Sequence, residues 1–254
     1  MSAELELAEA ESFASMFESA GLPVLRTAGA VCHAIPGLKG NTMLNRVTGL
    51  GLSTDPTDGD LDEIDAFFRR LGTAYAVAVS PLAPASLGPR LRERGFGDGL
   101  AWMKFRRGVE PAPASGPRLT VRECRDGAAF GRVVASAYGM PEAGGAIFSR
   151  LPGRDGWTLF LAWEGDEPVG GAALRVAAGV GWLGGAGTRP EHRGKGAQTA
   201  LLAARVERAR ELGATAVTTE TGEHGPGRPN GSYRNILRAG FAEAYLRPNL
   251  VSPG

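Results

Sequence analysis

The chain has 254 residues, 43% of them hydrophobic, and its 28 Lys and Arg against 27 Asp and Glu leave a net charge of +1. That length fits one large or two modest domains with a sizeable core. So balanced a charge argues against a dedicated nucleic-acid surface, and apolar residues so scattered argue against a membrane span of roughly 20 consecutive ones.

The two cysteines, Cys32 and Cys124, make no CxxC motif, so structural thiols are expected and no metal or redox site. The opening MSAELELAEAESF is acidic at Glu4, Glu6, Glu9 and Glu11, the opposite of a signal peptide's basic start, and a cytoplasmic protein is expected. Residues 5–20 read as an amphipathic helix stopped at Gly21 with Pro23 beyond. Residues 24–35 read as one or two strands, and 36–40 as a turn. GLKGNT at 37–42 has the letters of a phosphate loop without its GxxxxGK[ST] spacing. A strand is expected within 42–52, then a turn and helix cap at 55–60, with Asp60 and Glu63 close to a capping box. Leu61, Ile64, Phe67, Phe68 and Leu71 give the next helix its buried face. The acids Asp55, Asp58, Asp60, Asp62, Glu63 and Asp65 read as a solvated helix start favoured by the dipole; attraction of a cationic substrate is the rival reading.

A strand at 75–79, a helix at 84–94 closed by Gly95-Phe96, and a strand at 100–106 follow. GVEPAPASGP at 108–117 is the best linker in the chain, rich in Pro, Gly and Ser without periodicity. Beyond it the pattern restarts: a strand at 119–124, a helix capped by Asp126 and running to Tyr138, a second helix within 143–150, and strands at 157–163 and 169–176. Trp157, Trp163 and Trp182 read as core or pocket wall.

The stretch GWLGGAGTRPEHRGKGAQTALL at 181–202 reads as strand, glycine-rich loop and helix. Glycines are poor packers in a strand, and Gly181, Gly184, Gly185 and Gly187 suit a backbone that something else approaches closely. The helix start offers unpaired N–H groups and partial positive charge to an anion such as a pyrophosphate, and Arg193 and Lys195 add formal charge. A strand at 215–221 and a helix from Asn230 to Phe241 complete the pattern.

Residues 188–197, TRPEHRGKGA, resemble the acetyl-CoA loop of the GNAT acetyltransferases, whose pattern is Arg/Gln-x-x-Gly-x-Gly/Ala. Arg193 to Ala197 follow it, with Gln198 in place of Gly or Ala at the last position, and NGSYRNILRAGF at 230–241 resembles the family's last helix. The resemblance covers about 118–248 and implies an acetyl-CoA-dependent N-acetyltransferase, which moves an acetyl group to a primary amine by direct attack in a ternary complex. It places Ala186, Gly187 and Thr188 along the pantetheine and thioester, and Arg193, Gly194, Lys195, Gly196, Ala197, Gln198 and Thr199 at the diphosphate. Ser232 and Asn235, three apart on the last helix, are expected to face the cofactor. Glu220, at a strand end, is the expected general base, with His224 as rival; His192 reads as a loop contact. The family's thiolate-protonating tyrosine falls at Ile236, which has no proton to give, so Tyr233 one turn earlier is the expected donor, with a packed aromatic as its alternative.

Aligned on Gly95-Phe96 and Gly240-Phe241, the two halves repeat strand, helix, strand, helix, Gly-Phe, strand. The first copy lacks the Arg-x-x-Gly-x-Gly loop and carries acidic STDPTDGD instead. The expected architecture is therefore α/β: two GNAT-like lobes, each a mixed, mostly antiparallel sheet flanked by helices. Residues 1–107 would be a degenerate lobe that helps build the acceptor site, 108–117 a linker, and 118–254 the acetyl-CoA domain. The acceptor would be a small-molecule or peptide amine, with no nucleic-acid or membrane partner. A non-catalytic acyl-CoA-binding or sensor protein is the reading from another class.

Overall fold

The computed structural model describes residues 3–113, 119–227 and 229–253, so 114–118, at the end of the expected linker, lie outside it. The chain begins with α1 (Glu4–Ser19), then the antiparallel hairpin β1 (Val24–Thr27) and β2 (Ala30–His33). Next come β3 (Arg46–Thr48), α2 (Asp58–Leu71), β4 (Ala76–Ala78), α3 (Leu87–Glu93) and β5 (Gly97–Asp98). Strands β6 (Trp102–Arg107) and β7 (Thr120–Glu123) flank the linker, and α4 (Gly127–Tyr138) and the single turn α5 (Glu142–Gly145) follow. The rest is β8 (Trp157–Glu164), β9 (Glu167–Ala177), β10 (Val180–Thr188), α6 (Ala197–Glu211), β11 (Ala216–Gly222), α7 (Gly231–Arg238), β12 (Ala242–Arg247) and β13 (Asn249–Val251).

Among the described residues the strands form two sheets. One runs β1-β2-β3-β4-β13-β5 and the other β12-β6-β11-β10-β9-β8-β7. In the first sheet the parallel pair β3 with β4 interrupts antiparallel neighbours, and in the second β10 runs parallel to β11 and antiparallel to β9. The repeat seen in the sequence is therefore carried into the topology, with one difference. The strand expected to close the first lobe, β6, pairs in the second sheet, while the chain's last strand, β13, pairs in the first. The two compact units are accordingly 1–103 with 245–254, and 104–244, rather than two halves divided at a linker.

In the first unit α2 is held at both ends. Thr57 Oγ1 accepts from Asp60 N at 3.2 Å while the Asp60 carboxylate accepts from Thr57 N at 2.7 Å, so the capping box is Thr57 with Asp60 instead of the expected Asp60 with Glu63. Its acids are satisfied within the unit. Arg90 on α3 pairs with Asp55 and Asp58, and Arg94 pairs with Asp58, Asp62 and Asp65. The acidic loop thus does have cationic partners, and the cluster is a set of exposed ion pairs, each worth little, and not a free anionic patch. Leu61, Ile64, Phe67 and Phe68 pack with Val47, Leu50, Val77, Leu87, Leu91 and Leu250 as the unit's core.

His33 on β2 lies wholly buried beside Phe13 and Phe17 of α1, each ring 4.5 Å from its own. Its Nδ1 donates to Leu44 O at 3.0 Å and its Nε2 has no partner. Burial outweighs that hydrogen bond and lowers its pKa to about 3. The unfolded chain therefore binds this proton first, and stability falls as pH drops from the unfolded value near 6.5 toward 3, by up to about 1.4 kcal/mol per pH unit. Urea denaturation of the first unit at pH 7 and pH 5 should show this loss, and His33→Gln should flatten it; an unchanged slope would contradict the burial argument.

Candidate active site

The second unit's sheet opens at its middle. β10 and β11 run parallel and pair at Val180 with Ala216, Gly181 with Val217 and Trp182 with Thr218, and no further. Beyond that point β10 continues to Thr188 and β11 to Gly222. Thr219 Oγ1 donates to Leu183 O at 2.8 Å at the fork. On its other side β10 follows β9 antiparallel, with an irregularity between Gly184 and Gly187 where Gly185 takes φ +51°. Past this bulge Gly187 pairs with Gly171, and Arg189 N donates to Val169 O at 2.9 Å, so alternate residues point to β9. Ala186 and Thr188 then turn their N–H and C=O groups to the open edge, away from β9.

The glycines of β10 have a different reason from the one expected. A Cβ at Gly184 would run into the Trp182 ring, one at Gly185 into Phe148, and one at Gly187 into Ala137. They admit the protein's own side chains, which bring α4 hard against the bulge. Arg205, on α6, also serves the bulge. This guanidinium is 1% exposed, with Nε on Leu201 O at 3.1 Å and Nη1 on Ala173 O at 3.2 Å and Gly184 O at 3.5 Å. It compensates carbonyls that the irregular ladder leaves short, and burial lowers its pKa to about 9.

The loop after β10 passes through a short 3-10 turn at Pro190–His192 and enters α6 at Gly196, whose φ of +93° only glycine adopts without strain. No side chain caps this helix start, and the first bond back is Ala200 N to Gly196 O at 3.1 Å. Nothing lies within 4 Å of a Cβ built at Gly194 or Gly196, so the space over the loop is open. The loop's cations brace it. Arg193 donates to Thr188 O at 3.3 Å and Ala137 O at 2.9 Å, and Lys195 reaches both Glu164 oxygens at 2.9 and 2.7 Å. His192 Nδ1 meets Glu164 at 2.8 Å and Arg189 meets Glu167 at 3.0 Å, so the β8–β9 turn holds the loop from below. Lys195 first and His192 second keep the Glu164 carboxyl below the usual range.

The structure joins two of the expected residues directly. Asn235 Nδ2 donates to Gln198 Oε1 at 2.9 Å, tying α7 to the first turn of α6 beside Ala197 and Thr199. Ser232 is half-buried on α7. Glu220 stands half-buried on β11, past the last pair with β10.

Tyr233 does not join them. Its ring packs edge-on against Phe105 of β6, and its hydroxyl donates to Glu243 on β12. The strand order β12-β6-β11-β10 puts that carboxylate on the far side of β11 from the cleft. Desolvation first, then the Glu243 carboxylate, push the phenol up to about 12. The proton-donor role expected for Tyr233 is therefore replaced by its alternative, a packed aromatic. The rival base His224 is likewise committed, its Nδ1 accepting from Asn230 N at 2.8 Å ahead of α7.

The residues 135–227, from the end of α4 through the loop and β11, match the family model described as the Acetyltransferase (GNAT) family. That segment is similar to the GNAT acetyltransferases, a family that generally uses acetyl-CoA. Solved structures resemble it over nearly its whole length. A GCN5-related N-acetyltransferase from Kribbella flavida aligns with TM-score 0.67 and 18% identity, over 96% of this chain and 95% of that one. One from Sphaerobacter thermophilus aligns with TM-score 0.64 and 18% identity, over 89% and 78%. A tandem GNAT protein from the clavulanic acid biosynthesis pathway aligns with TM-score 0.57 and 15% identity, over 82% and 75%. At these identities the likeness is one of fold. No curated protein sequence matches the chain. No helix among the described residues is long and apolar enough to cross a membrane, and no cluster of His, Cys, Asp and Glu among them suits a metal.

Sequence reasoning missed one residue at this fork. Tyr138, the last residue of α4, leaves its ring 44% exposed while its hydroxyl donates to Ala186 O at 2.7 Å, on the open edge of β10. The helix was foreseen, but nothing in the spacing showed that its last residue would reach a strand 48 positions away.

Proposed function

We propose that the second unit binds acetyl-CoA along the open edge of β10 and transfers the acetyl group to a primary amine by direct attack in a ternary complex. The fork where β10 leaves β11 carries this reading: it leaves the backbone N–H groups of Ala186 and Thr188 facing the open edge, where a strand-like ligand would satisfy them, while their carbonyls already accept from Tyr138 and Arg193. Pantetheine, with its two amides, is such a ligand. The uncapped start of α6, at Gly196 to Thr199, faces open space and suits the diphosphate. Arg193 and Lys195 then act chiefly by holding the loop's shape, since both are already engaged with protein groups. Ser232 and Asn235 would line the cofactor from α7, and Glu220 would take the proton from the attacking amine.

The first unit is read as a repeat without a cofactor. Where its β3 ends, a Cβ at Gly51 would meet Pro84, Ala83 and Leu87, so the corresponding space is filled by the chain itself. Calorimetry should give one acetyl-CoA per chain, and an amine library should yield acetylated product identified by mass. Glu220→Gln should lower turnover on the order of 10²-fold while CoA binding persists. A wild-type rate with an unchanged pH profile would remove Glu220 from the mechanism. The sensor reading draws on the turned-away Tyr233; it predicts tight CoA binding with no turnover of any amine.

A further inference from the structure

Two groups near the fork have no part in the scheme above. Tyr138 is one of four tyrosines in the chain; Tyr75 and Tyr245 belong to the first unit, and Tyr233 is turned toward β12. Tyr138 is thus the only phenol among the second unit's described residues whose hydroxyl reaches the open edge of β10. Arg205 is a buried cation for which no carboxylate partner lies among the described residues; its donors go only to backbone carbonyls. The two touch the same strand two residues apart, Arg205 at Gly184 O and Tyr138 at Ala186 O, on either side of Gly185.

We propose that Tyr138 is the proton donor to the departing thiolate and that Arg205 supplies the buried countercharge for the phenolate that results. The inference rests on the acetyltransferase reading and places the acid on the domain's first helix instead of its last. The amine lone pair forms the C–N bond, and the C–S bond breaks with its electron pair left on sulfur. The Tyr138 O–H proton passes to that sulfur and gives the thiol. The proton shed by the amine, taken up by Glu220, returns to the Tyr138 oxygen, so no net proton is gained or lost.

The electrostatics agree with these roles. Desolvation raises the Tyr138 phenol above its ordinary value, so it enters the step protonated at neutral pH as an ordinary phenol would. The Arg205 charge opposes that rise, as a countercharge to the phenolate must, and the Glu220 charge adds to it, which places both within electrostatic reach of the hydroxyl. Arg205 holds its position through carbonyls alone, so its charge is not cancelled locally and acts where negative charge develops.

The test is Tyr138→Phe, which keeps the ring and removes the hydroxyl. Thiol release from acetyl-CoA, with the best amine of the library as acceptor, should fall on the order of 10²-fold in kcat, with the high-pH limb lost. CoA affinity by calorimetry should stay within about twofold. Replacement of Tyr138 by a fluorotyrosine of lower phenol pKa keeps both shape and hydroxyl and should move the high-pH limb to lower pH. Arg205→Gln should move the same limb to higher pH. An unchanged rate and profile in Tyr138→Phe, or a limb that stays in place with the fluorotyrosine, overturns the assignment while leaving the acetyltransferase reading intact. A wild-type protein that binds acetyl-CoA yet acetylates nothing overturns both.

Discussion

A chain ended after Ala244 is expected to lose the folded first unit altogether. The missing segment carries β13, which lies inside the first sheet. Asn249, Leu250 and Val251 pair with Ala78, Val77 and Ala76 on one side, and Leu250 and Val251 pair with Asp98 and Gly97 on the other. Leu250 is 1% exposed within the core built by Val47, Val77, Leu87 and Leu91. Asn249 accepts from Arg46 at 3.0 Å and donates to Leu100 O at 2.7 Å, and Ser252 N donates to Tyr75 O at 2.9 Å. Removal would open two strand edges at once and leave a buried arginine and several backbone groups short of partners. The same argument applies to the second unit cut at the linker. Residues 118–254 alone lack β6, the strand between β11 and β12, with fully buried Phe105 and the carbonyl that accepts from Thr218 Oγ1 at 2.9 Å. Neither half should therefore show a cooperative melt by near-ultraviolet circular dichroism. A peptide of residues 245–253 added to the truncated chain should restore part of the signal. A chain truncated at 244 that still unfolds in one sharp transition with an unchanged urea m-value would show that β13 is dispensable.

Much of this fold is legible in the sequence, because local rules agree with the tertiary answer over long stretches. Helix α2 shows its apolar face at Leu61, Ile64, Phe67 and Phe68, and α6 starts within the expected loop at Gly196. The doubled strand–helix pattern survives as two sheets, each of which contains a parallel pair. What the sequence hides is what two distant segments do together. Nothing in the composition of 102–107 or 249–251 says that each pairs in the other half's sheet, because both are short mixed strands suited to either. The glycines of β10 carry a double meaning: a bare strand serves a ligand or a neighbouring helix equally, and here Trp182, Phe148 and Ala137 fill the space. Tyr233 and Tyr138 show the same limit at the site. Helical spacing puts Tyr233 one turn from the family's position, but its hydroxyl direction is set by Glu243 on another strand. Arg205, which no motif or spacing singles out, is 1% exposed beneath the bulge.

Arg247→Met should cost the protein about 3–5 kcal/mol, the range for breaking a buried ion pair from one side. Arg247 is fully buried, and so are Glu6 and Glu9 of α1, its two partners. Its Nη1 donates to Glu6 and its Nη2 to Glu9 at 2.6 Å, while Tyr245 Oη donates to the other Glu6 oxygen at 2.6 Å. Burial and the Glu6 charge both push the Tyr245 phenol up, which keeps it the donor in that bond. Methionine has nearly the volume of the arginine stem but no charge, so two carboxylates would remain in a low-dielectric interior facing like charge. The loss is a large part of the roughly 5–15 kcal/mol that holds an ordinary domain together. It carries a signature in pH. In the variant the carboxylates bind protons more tightly folded than unfolded, a gain on acidification that opposes the loss His33 causes in both proteins, so the variant should lose less stability from pH 7 to pH 5 than the wild type. A triple variant, Arg247→Met with Glu6→Gln and Glu9→Gln, removes the two carboxylate charges and leaves amides that can bond to each other and to Tyr245; it should recover most of the loss. Urea midpoints at pH 7 and pH 5 decide the matter. Arg247→Met within about 1 kcal/mol of the wild type at pH 7, with the same loss from pH 7 to pH 5, would mean that this buried cluster is not what fastens the chain's end to α1.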